Sequence, residues 1–451
     1  MSLTRKLVTA NEDLSSPSPA GSCPFRLGAV PGNTAAMDGR ELRALGRAPV
    51  VELPDGARVR AVVDHGLALR LLAGPQVSRE GRGNRPGHRE DARSADGVIA
   101  AWVGTHHAFG SRDNQGRLRA PIAELLTRRR TGAAAPLIEE AVDDAFADLA
   151  GDPGVVDLVR AYALRVPQRV IISLLGVPAG HLPTFAAAAA GLFDATATAD
   201  ELAAHLVSLL ALLDQLVASR RAAPGDDLVG DLIRAADTSP EGLSEQELRD
   251  QLMLLVIAGT EATAHAIGTL TVHLMTHPLQ RARLTAGELR WEDALEESLR
   301  LQPPVAAAPL RRAVGRFTDD ETGETFEEGE EILIHFAATG RDRTVHTDPD
   351  VYDIGRPTAH RHLAFGHGPH SCPGAPLARA EVVTAVSQWF RRFPRSRLAV
   401  GPGELRQEDA FMSSGYRTIP VLLAEDAEDV EDTEDTGEAE EAERPAGGAV
   451  V

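Results

Sequence analysis

Phe365-Gly366-His367-Gly368-Pro369-His370-Ser371-Cys372-Pro373-Gly374 decides the reading of this chain. It sets one cysteine in a glycine-punctuated loop, directly before a helix start at Ala375-Pro376-Leu377-Ala378-Arg379. A loop of this kind can hold a thiolate rigidly against a flat metal cofactor. A free thiol is mostly protonated at neutral pH, so a ligating one needs backbone N–H groups, a helix N-terminus and the metal itself to favour the anion. Gly368 and Gly374 are expected to permit backbone angles and approaches that a side chain would block. Pro376 suits a first helical turn, where its missing N–H costs nothing. Two plainer readings stand beside this one: a buried cysteine in a turn, and a zinc site drawing on His360, His362, His367, His370 and Cys372. The spacing fits no common four-ligand zinc pattern, and zinc accounts for neither Phe365 nor the glycines.

The 451 residues suffice for one large domain or two to three ordinary ones, and 43% hydrophobic content supports a sizeable core. Two cysteines, Cys23 and Cys372, argue against a disulfide framework and fit a reducing cytoplasm. Met1 to Lys6 leads into polar sequence that reads as neither signal peptide nor anchor. The longest apolar run, Leu252–Ile257, is bounded by Asp250 and Glu261, so no bilayer span is expected. The net charge of -20 is concentrated at one end: residues 424–451 carry twelve acidic side chains and Arg444, a net of -11, leaving about -9 for the body. That balance is poor for nucleic-acid binding. The tail, with no apolar periodicity, reads as disordered and solvating, and residues 1–22 read as a disordered N-terminal segment.

Between these ends the ordered body runs over residues 23–423. Strand signals appear at Val50–Leu53 and Arg58–Val63 around a Pro54-Asp55-Gly56 turn. Val77–Gly97 reads as a long polar loop. Helical patterns follow at Leu118–Thr127, Ala133–Leu149, Leu158–Leu175, Ala199–Arg221, Glu245–Thr276 and Trp291–Leu301. A second strand region covers Phe317–Phe336, and a last strand Arg417–Leu423. The order predicts a mainly α fold with small β-sheets, an α+β chain with a helix-rich and a strand-rich lobe. No internal repeat, Rossmann glycine motif or P-loop stands out.

The cysteine stretch matches, at every fixed position, the pattern F-G-x-G-x-H/R-x-C-x-G, and so resembles the haem-thiolate loop of the cytochrome P450 family, in particular its soluble, actinobacterial-type monooxygenases. The resemblance spans roughly residues 23–423. It implies one domain folded around a buried haem b (iron protoporphyrin IX) with Cys372 as axial ligand, Phe365 covering the sulfur side, and Gly366 and Gly374 as further cofactor-binding positions of the loop. Ala258-Gly259-Thr260-Glu261-Ala262-Thr263 resembles the family's oxygen-side helix pattern, A/G-G-x-D/E-T-T. By that resemblance Ala258 and Gly259 let the helix deform, and Glu261 relays protons. The first threonine of the pattern is here Ala262, whose methyl group can neither donate nor accept a hydrogen bond. Thr263 lies one residue on, about 100° around the helix. A water or a substrate hydroxyl is therefore expected to complete the relay, as in some family members with alanine there.

Glu297-Ser298-Leu299-Arg300, followed by Gln302-Pro303-Pro304, resembles the family's E-x-x-R helix, whose pair meets an arginine that Arg356 matches. These three are expected to be structural. Gln115-Gly116-Arg117-Leu118-Arg119 resembles H-x-R-L-R, with Gln115 replacing the usual histidine, and Arg311-Arg312-Ala313 resembles R-x-A. Arg119, Arg311 and His370 are thus expected to contact haem propionates, since a guanidinium makes charge-assisted bonds to carboxylates. The family position of the pocket falls on residues 81–108, Leu254–Ala262, Val305–Pro309 and Phe411–Ser414, with small side chains at Val305–Pro309 suggesting room. Phe185 and Phe193 are placed either at its entrance or in the core.

The expected function is monooxygenation, hydroxylating or epoxidising a small organic substrate of secondary metabolism. Electrons would come from a separate ferredoxin and ferredoxin reductase, with no reductase domain fused. A basic patch of Arg112, Arg117, Arg361 and Arg379 is expected to dock the ferredoxin. The enzyme is expected to be a cytoplasmic monomer without membrane or nucleic-acid partners. The alternatives are non-standard oxidation, such as oxidative coupling or nitration, and a haem-free helper protein of the same fold.

Overall fold

The computed structural model describes residues 25–26, 35–53, 57–78, 112–126, 134–149, 154–192, 197–238, 242–307, 311–408 and 413–423. Cys23, Phe193, Ala308, Pro309, Phe411, the whole 81–108 segment, residues 1–22 and the acidic tail lie outside them.

The helices are α1 (Ala35–Leu45), α2 (His65–Ala73), α3 (Arg112–Leu125), α4 (Ala135–Leu149), α5 (Arg165–Leu174), α6 (Leu182–Gly191), α7 (Ala199–Ala222), α8 (Leu228–Thr238), α9 (Glu245–Thr276), α10 (Pro278–Thr285), α11 (Trp291–Leu301), α12 (Phe336–Thr339) and α13 (Ala375–Arg392). The strands are β1 (Phe25–Arg26), β2 (Val50–Glu52), β3 (Arg58–Val62), β4 (Val77–Ser78), β5 (Val155–Asp157), β6 (Arg311–Ala313), β7 (Phe317–Thr318), β8 (Thr325–Phe326), β9 (Glu331–Ile334), β10 (Arg397–Leu398) and β11 (Pro420–Leu422). They form a six-stranded sheet of order β1-β2-β3-β9-β6-β4, a three-stranded sheet β10-β11-β5 and the pair β7-β8. The chain is thus mainly α with small sheets.

The 32-residue α9 is the axis of the fold. It starts with a capping box: the Ser244 hydroxyl accepts from the Glu247 N–H and the Glu247 carboxylate accepts from the Ser244 N–H at 2.9 Å. It ends at His277, before Pro278. Two large hydrophobic cores take different ends of it. Leu248 to Ile257 pack with α3, α5, α7 and α8, and Ala266 to Leu274 pack with α4, α11, α13 and β11. Between the two cores the helix has an accessible face: Ala258 is exposed, and Leu254, Gly259, Glu261 and Ala262 are half-buried. Positions 254, 258 and 262 recur every four residues, so they share one side.

Several expectations change. The single helix expected over Leu158–Leu175 is a π-helical turn, Val159–Ala163, followed by α5. Pro167 has no N–H to offer Ala163, so one continuous α-helix cannot run through it, and the chain resets with the proline in the first turn of α5. The Arg417–Leu423 strand narrows to β11. Among the described residues two helices, at Asp200–Ala222 and Glu245–Thr276, are long and apolar enough by length and composition to cross a membrane, where none was expected. The charges taken as boundaries do not end the run: Asp250 is buried at 5% and Glu261 lies in mid-helix. α9 is buried along most of its length, and α7 packs on α6, α8 and α9. Phe185, 1% exposed, belongs to the first core.

Candidate functional site

The cysteine loop is built from tight turns. Gly366 and Gly368 both adopt φ of +69°, a region that favours glycine. Gly368 is the more constrained, because a Cβ there would lie 2.8 Å from the Leu72 carbonyl oxygen at the end of α2. Gly374 differs from the expectation: its φ of -82° suits any residue, and a Cβ there would meet the Cys372 sulfur only at 3.9 Å. The Cys372 N–H donates to the Phe365 carbonyl at 2.7 Å and closes the loop. Cys372 is exposed, yet lies deep within the protein. Burial pushes its thiol pKa up, while N–H groups of Gly374 and Ala375 at the start of α13, and the charges of Arg119 and Arg379, pull against that.

Arg119, on α3, donates to the Ser371 carbonyl beside the cysteine; burial lowers its pKa and the Cys372 charge opposes that. Arg311 is buried at 6% on β6, and His370 is half-buried in the 3-10 turn Gly368–His370. The backbone of Gln115 lies in α3, but its side chain is outside the described residues. Phe365 is half-buried against the second core. The Arg379 guanidinium sits 4.3 Å from its ring centroid, a cation–π contact.

Beside the loop, α11 carries two adjacent carboxylates that face different partners. Glu297 is 0% exposed and accepts from Arg300 Nε at 2.7 Å and Nη2 at 2.8 Å, from Arg356 Nε at 3.0 and 3.2 Å, and from the Asp353 N–H at 2.9 Å. Arg300 further donates to the Gly340 and Pro349 carbonyls at 2.7 Å. Arg356 also donates to the Val351 and Asp348 carbonyls at 2.8 and 3.1 Å. The trio ties α11 to the 340–356 meander that precedes the cysteine loop.

Glu296 was missed by sequence reasoning. It accepts from His362 Nε2 at 2.8 Å and from Arg379 Nε at 2.5 Å, and so clamps both sides of the cysteine loop to α11. Burial raises its carboxyl pKa, but His362 and Arg379 outweigh that and hold it at about 2. Its neighbour in an E-E-x-x-R run was the available signal. Two members of the expected basic patch are paired with carboxylates. Arg379 is engaged with Glu296, and Arg117 donates to Glu247 Oε1 at 2.5 Å and to the Gly242 carbonyl at 2.8 Å. Arg361 remains exposed, and the Arg112 side chain is outside the described residues.

On α9, Gly259 admits Ile171 of α5: a Cβ at 259 would lie 2.8 Å from its Cδ1. Thr260 and Thr263 are buried at 1% and 5%, while Glu261 and Ala262 are half-buried on the accessible face. Ala306 and Ala307 are fully buried and Val305 is 37% exposed, so only Val305 of the described part of that stretch has an open surface. Glu381, on α13, is a further carboxylate sequence reasoning passed over; burial pushes its carboxyl well above the ordinary range.

These residues fit a flat, thiolate-ligated, carboxylate-bearing group. The cysteine is accessible, cations stand at Arg119 and Arg311, and the central helix interrupts its core packing where small residues face open space. The zinc reading does not fit: His362 is committed to Glu296 and to the Ala364 N–H at 3.1 Å, and among the described residues the loop histidines and Cys372 do not bring three ligand atoms together.

A family model described as Cytochrome P450 matches residues 291–407. An enzyme of Streptomyces carzinostaticus named 2-hydroxy-5-methyl-1-naphthoate 7-hydroxylase is 32% identical over 406 residues, 89% of this chain and 98% of its own. The mycinamicin IV hydroxylase/epoxidase of Micromonospora griseorubida is 33% identical over 81% of this chain and 87% of its own. The solved structure of CYP154A1 from Streptomyces coelicolor A3(2) superposes with a TM-score of 0.75 at 37% identity, covering 89% of this chain and 100% of that one.

Proposed function

The chain belongs to the cytochrome P450 family, and on that premise we propose that it hydroxylates or epoxidises a small organic molecule of secondary metabolism, with haem b held by Cys372. The observation that carries the reading is an accessible cysteine at the start of α13, in a molecule whose central helix opens a small-residue face between its two cores. Bound there, haem supplies oxygen activation. The chain supplies the rest. Cys372 holds the iron, with the Gly374 and Ala375 N–H groups favouring its anion. Phe365 shields the sulfur from water. Arg119, Arg311 and His370, with Gln115 as a neutral donor, take the carboxylates of the group. Glu297, Arg300 and Arg356 brace the meander behind the loop. Gly259 and Ala262 shape the oxygen side, Glu261 carries protons, and a water or a substrate hydroxyl stands in for the hydroxyl that Ala262 lacks. Thr263, buried at 5%, is placed as packing rather than as a replacement donor.

The reading includes one domain over residues 23–423, flanked by a disordered N-terminal segment (1–22) and a disordered acidic tail (424–451). It also includes a separate ferredoxin and ferredoxin reductase as electron donors, and action as a monomer in the cytoplasm, with no nucleic-acid or membrane partner. The absorption spectrum of the reduced protein under carbon monoxide tests it. A strongly red-shifted Soret band is expected, and a protein purified without any Soret band would overturn the enzyme reading in favour of a haem-free helper. Ala262 favours a second reading, non-standard oxidation such as coupling or nitration. Turnover under isotopically labelled dioxygen, read by product mass, separates them: monooxygenation adds one labelled oxygen atom and no nitrogen, coupling adds no oxygen, and nitration adds nitrogen.

A further inference from the structure

Glu261 and His265 lie one helical turn apart on α9 and so share a face. His265 is 6% exposed, and both its ring nitrogens are met from outside the helix. Nε2 lies 3.4 Å from Glu408 Oε1, and Nδ1 lies 3.1 Å from Ser413 Oγ. The Ser413 hydroxyl also reaches Glu408 Oε2 at 3.5 Å. Glu261, His265 and Glu408 bring their polar atoms within 4.8 Å of one another. Gly415 fixes the ring: a Cβ there would lie 2.3 Å from Cδ2 and Nε2, so its backbone lies directly on the imidazole. The segment bearing Glu408, Ser413 and Gly415 is held by bridges between Gln407 and Tyr416 and between Val305 and Ser413, and by the Glu408 N–H donating to the Gly415 carbonyl at 2.9 Å.

This arrangement satisfies His265 in either charge state. When the ring is charged, Nε2–H donates to Glu408, Nδ1–H donates to Ser413, and the serine hydroxyl donates to Glu408. When Nδ1 is bare, the hydroxyl turns and donates to it instead. One hydroxyl rotation therefore serves both states and leaves no buried polar atom unpaired, which a purely structural histidine does not need. The two carboxylates are both half-buried and open on different surfaces: Glu408, with a side chain 30% exposed, on the 407–416 segment, and Glu261 on the α9 face beside Ala258 and Ala262.

We propose that His265, held by Glu408 and Ser413, is a positioning residue that feeds protons to Glu261, forming a line from solvent to the oxygen-side helix where Ala262 supplies no hydroxyl. The inference rests on the haem-thiolate reading above. In each passage the imidazolium gives its Nε2 proton to the Glu261 carboxylate within the 4.8 Å cluster and becomes neutral, keeping Nδ1–H on Ser413. Glu408, protonated from solvent, then returns a proton to the bare Nε2, and the starting charge is restored when Glu261 hands its proton on. The charges facing the ring agree with this. Burial alone disfavours the imidazolium, but the Glu408 hydrogen bond and charge, with the Glu261 charge, raise the His265 pKa overall. Glu408, raised by burial, is lowered overall by His265, Ser413 and Arg417.

The test uses holoenzyme labelled with 15N-histidine, reduced and bound to carbon monoxide, with the His265 signal assigned by its absence from His265→Gln. The ring is expected to titrate above the ordinary histidine value of about 6.5, and Glu408→Gln is expected to move that midpoint down by about one unit, a tenfold loss of proton affinity. The second measurement is electron consumption by substrate-free holoenzyme with a surrogate ferredoxin and reductase. Consumption should fall as pH rises through the His265 midpoint in the wild type. In His265→Gln it should be several-fold slower, flat in pH, and carry a larger solvent deuterium isotope effect. A midpoint unmoved by Glu408→Gln, or a wild-type pH profile and isotope effect in His265→Gln, would overturn the proposal. Should His265→Gln fail to take up haem, Glu408→Gln carries both measurements. Loss of the red-shifted Soret band in the wild type is a separate outcome that would sink the haem-thiolate reading itself.

Discussion

Removing the Glu297 carboxylate leaves two guanidinium groups facing one another in a site that is 0% exposed at positions 297 and 300. Glu297 accepts from both arginines and from the Asp353 N–H, so its loss orphans donors of three residues on two chain segments at once. Breaking a buried ion pair by removing one partner costs about 3–5 kcal/mol, because the remaining charge is left uncompensated. Unfolding entropy of about 2.1 cal/mol/K per residue over 451 residues gives about 0.9 kcal/mol/K. About 4 kcal/mol therefore lowers Tm by about 4 °C. Glu297→Gln sharpens the test. It keeps the side chain's shape, but its amide nitrogen is a donor and cannot accept from a guanidinium. Both Glu297→Ala and Glu297→Gln are expected to lose most of their haem and to melt about 4 °C lower, read by scanning calorimetry and by haem content under reduced carbon monoxide. Full haem content in Glu297→Gln, with Tm within about 1 °C of wild type, would refute the reasoning, because a neutral amide would then serve as well as the charge.

The two loop glycines should part company. Gly368→Ala forces a side chain to 2.8 Å from the Leu72 carbonyl at a φ of +69° and should destabilise by well over about 1 kcal/mol, whereas Gly374→Ala meets only ordinary contacts at 3.9 Å and should leave the urea midpoint of the apoprotein nearly unchanged. Glu296 gives an acid dependence. Its carboxyl lies at about 2 against an ordinary 4.5, so its contribution, about 3 kcal/mol, is present above the unfolded value and is lost as pH falls from about 4.5 to about 2. Stability measured by urea unfolding down that range should fall more shallowly in Glu296→Gln than in the wild type. Ala262→Thr restores a hydroxyl on the accessible face of α9; if substrate or water already completes the relay, it should not speed turnover or improve coupling, and a several-fold gain in both on the native substrate would count against that assistance.

Much of the helical frame was legible because its signals are local. α9 and α11 run over the expected residues, the first started by Ser244 and closed before Pro278, the second read from its apolar periodicity. The cysteine loop was legible for the same reason, since its glycines, proline and cysteine act within a dozen residues. The short helices α1, α2, α6, α8 and α10 were not read, because brief amphipathic runs derive their stability from what they pack against. The backbone freedom expected at Gly374 is not used: sequence shows a glycine, but only the backbone shows that φ is positive at 366 and 368 and ordinary at 374.

The residues 365–374 and the composition of α9 were enough to establish, from the chain alone, a cysteine presented by a rigid loop and a central helix lacking a hydroxyl at 262. Those are properties of neighbouring residues and of helical period. Charge pairing is a property of space, and the tertiary structure alone decided it. It turned Glu296 toward His362 and Arg379 but its neighbour Glu297 toward Arg300 and Arg356, so that two adjacent carboxylates brace different parts of the site. It also paired Arg117 with Glu247 and Arg379 with Glu296, and it carried Glu408 and Ser413 across more than a hundred residues of chain to His265. A carboxylate's partner depends on which segments the core brings within hydrogen-bonding distance, and no local pattern records that.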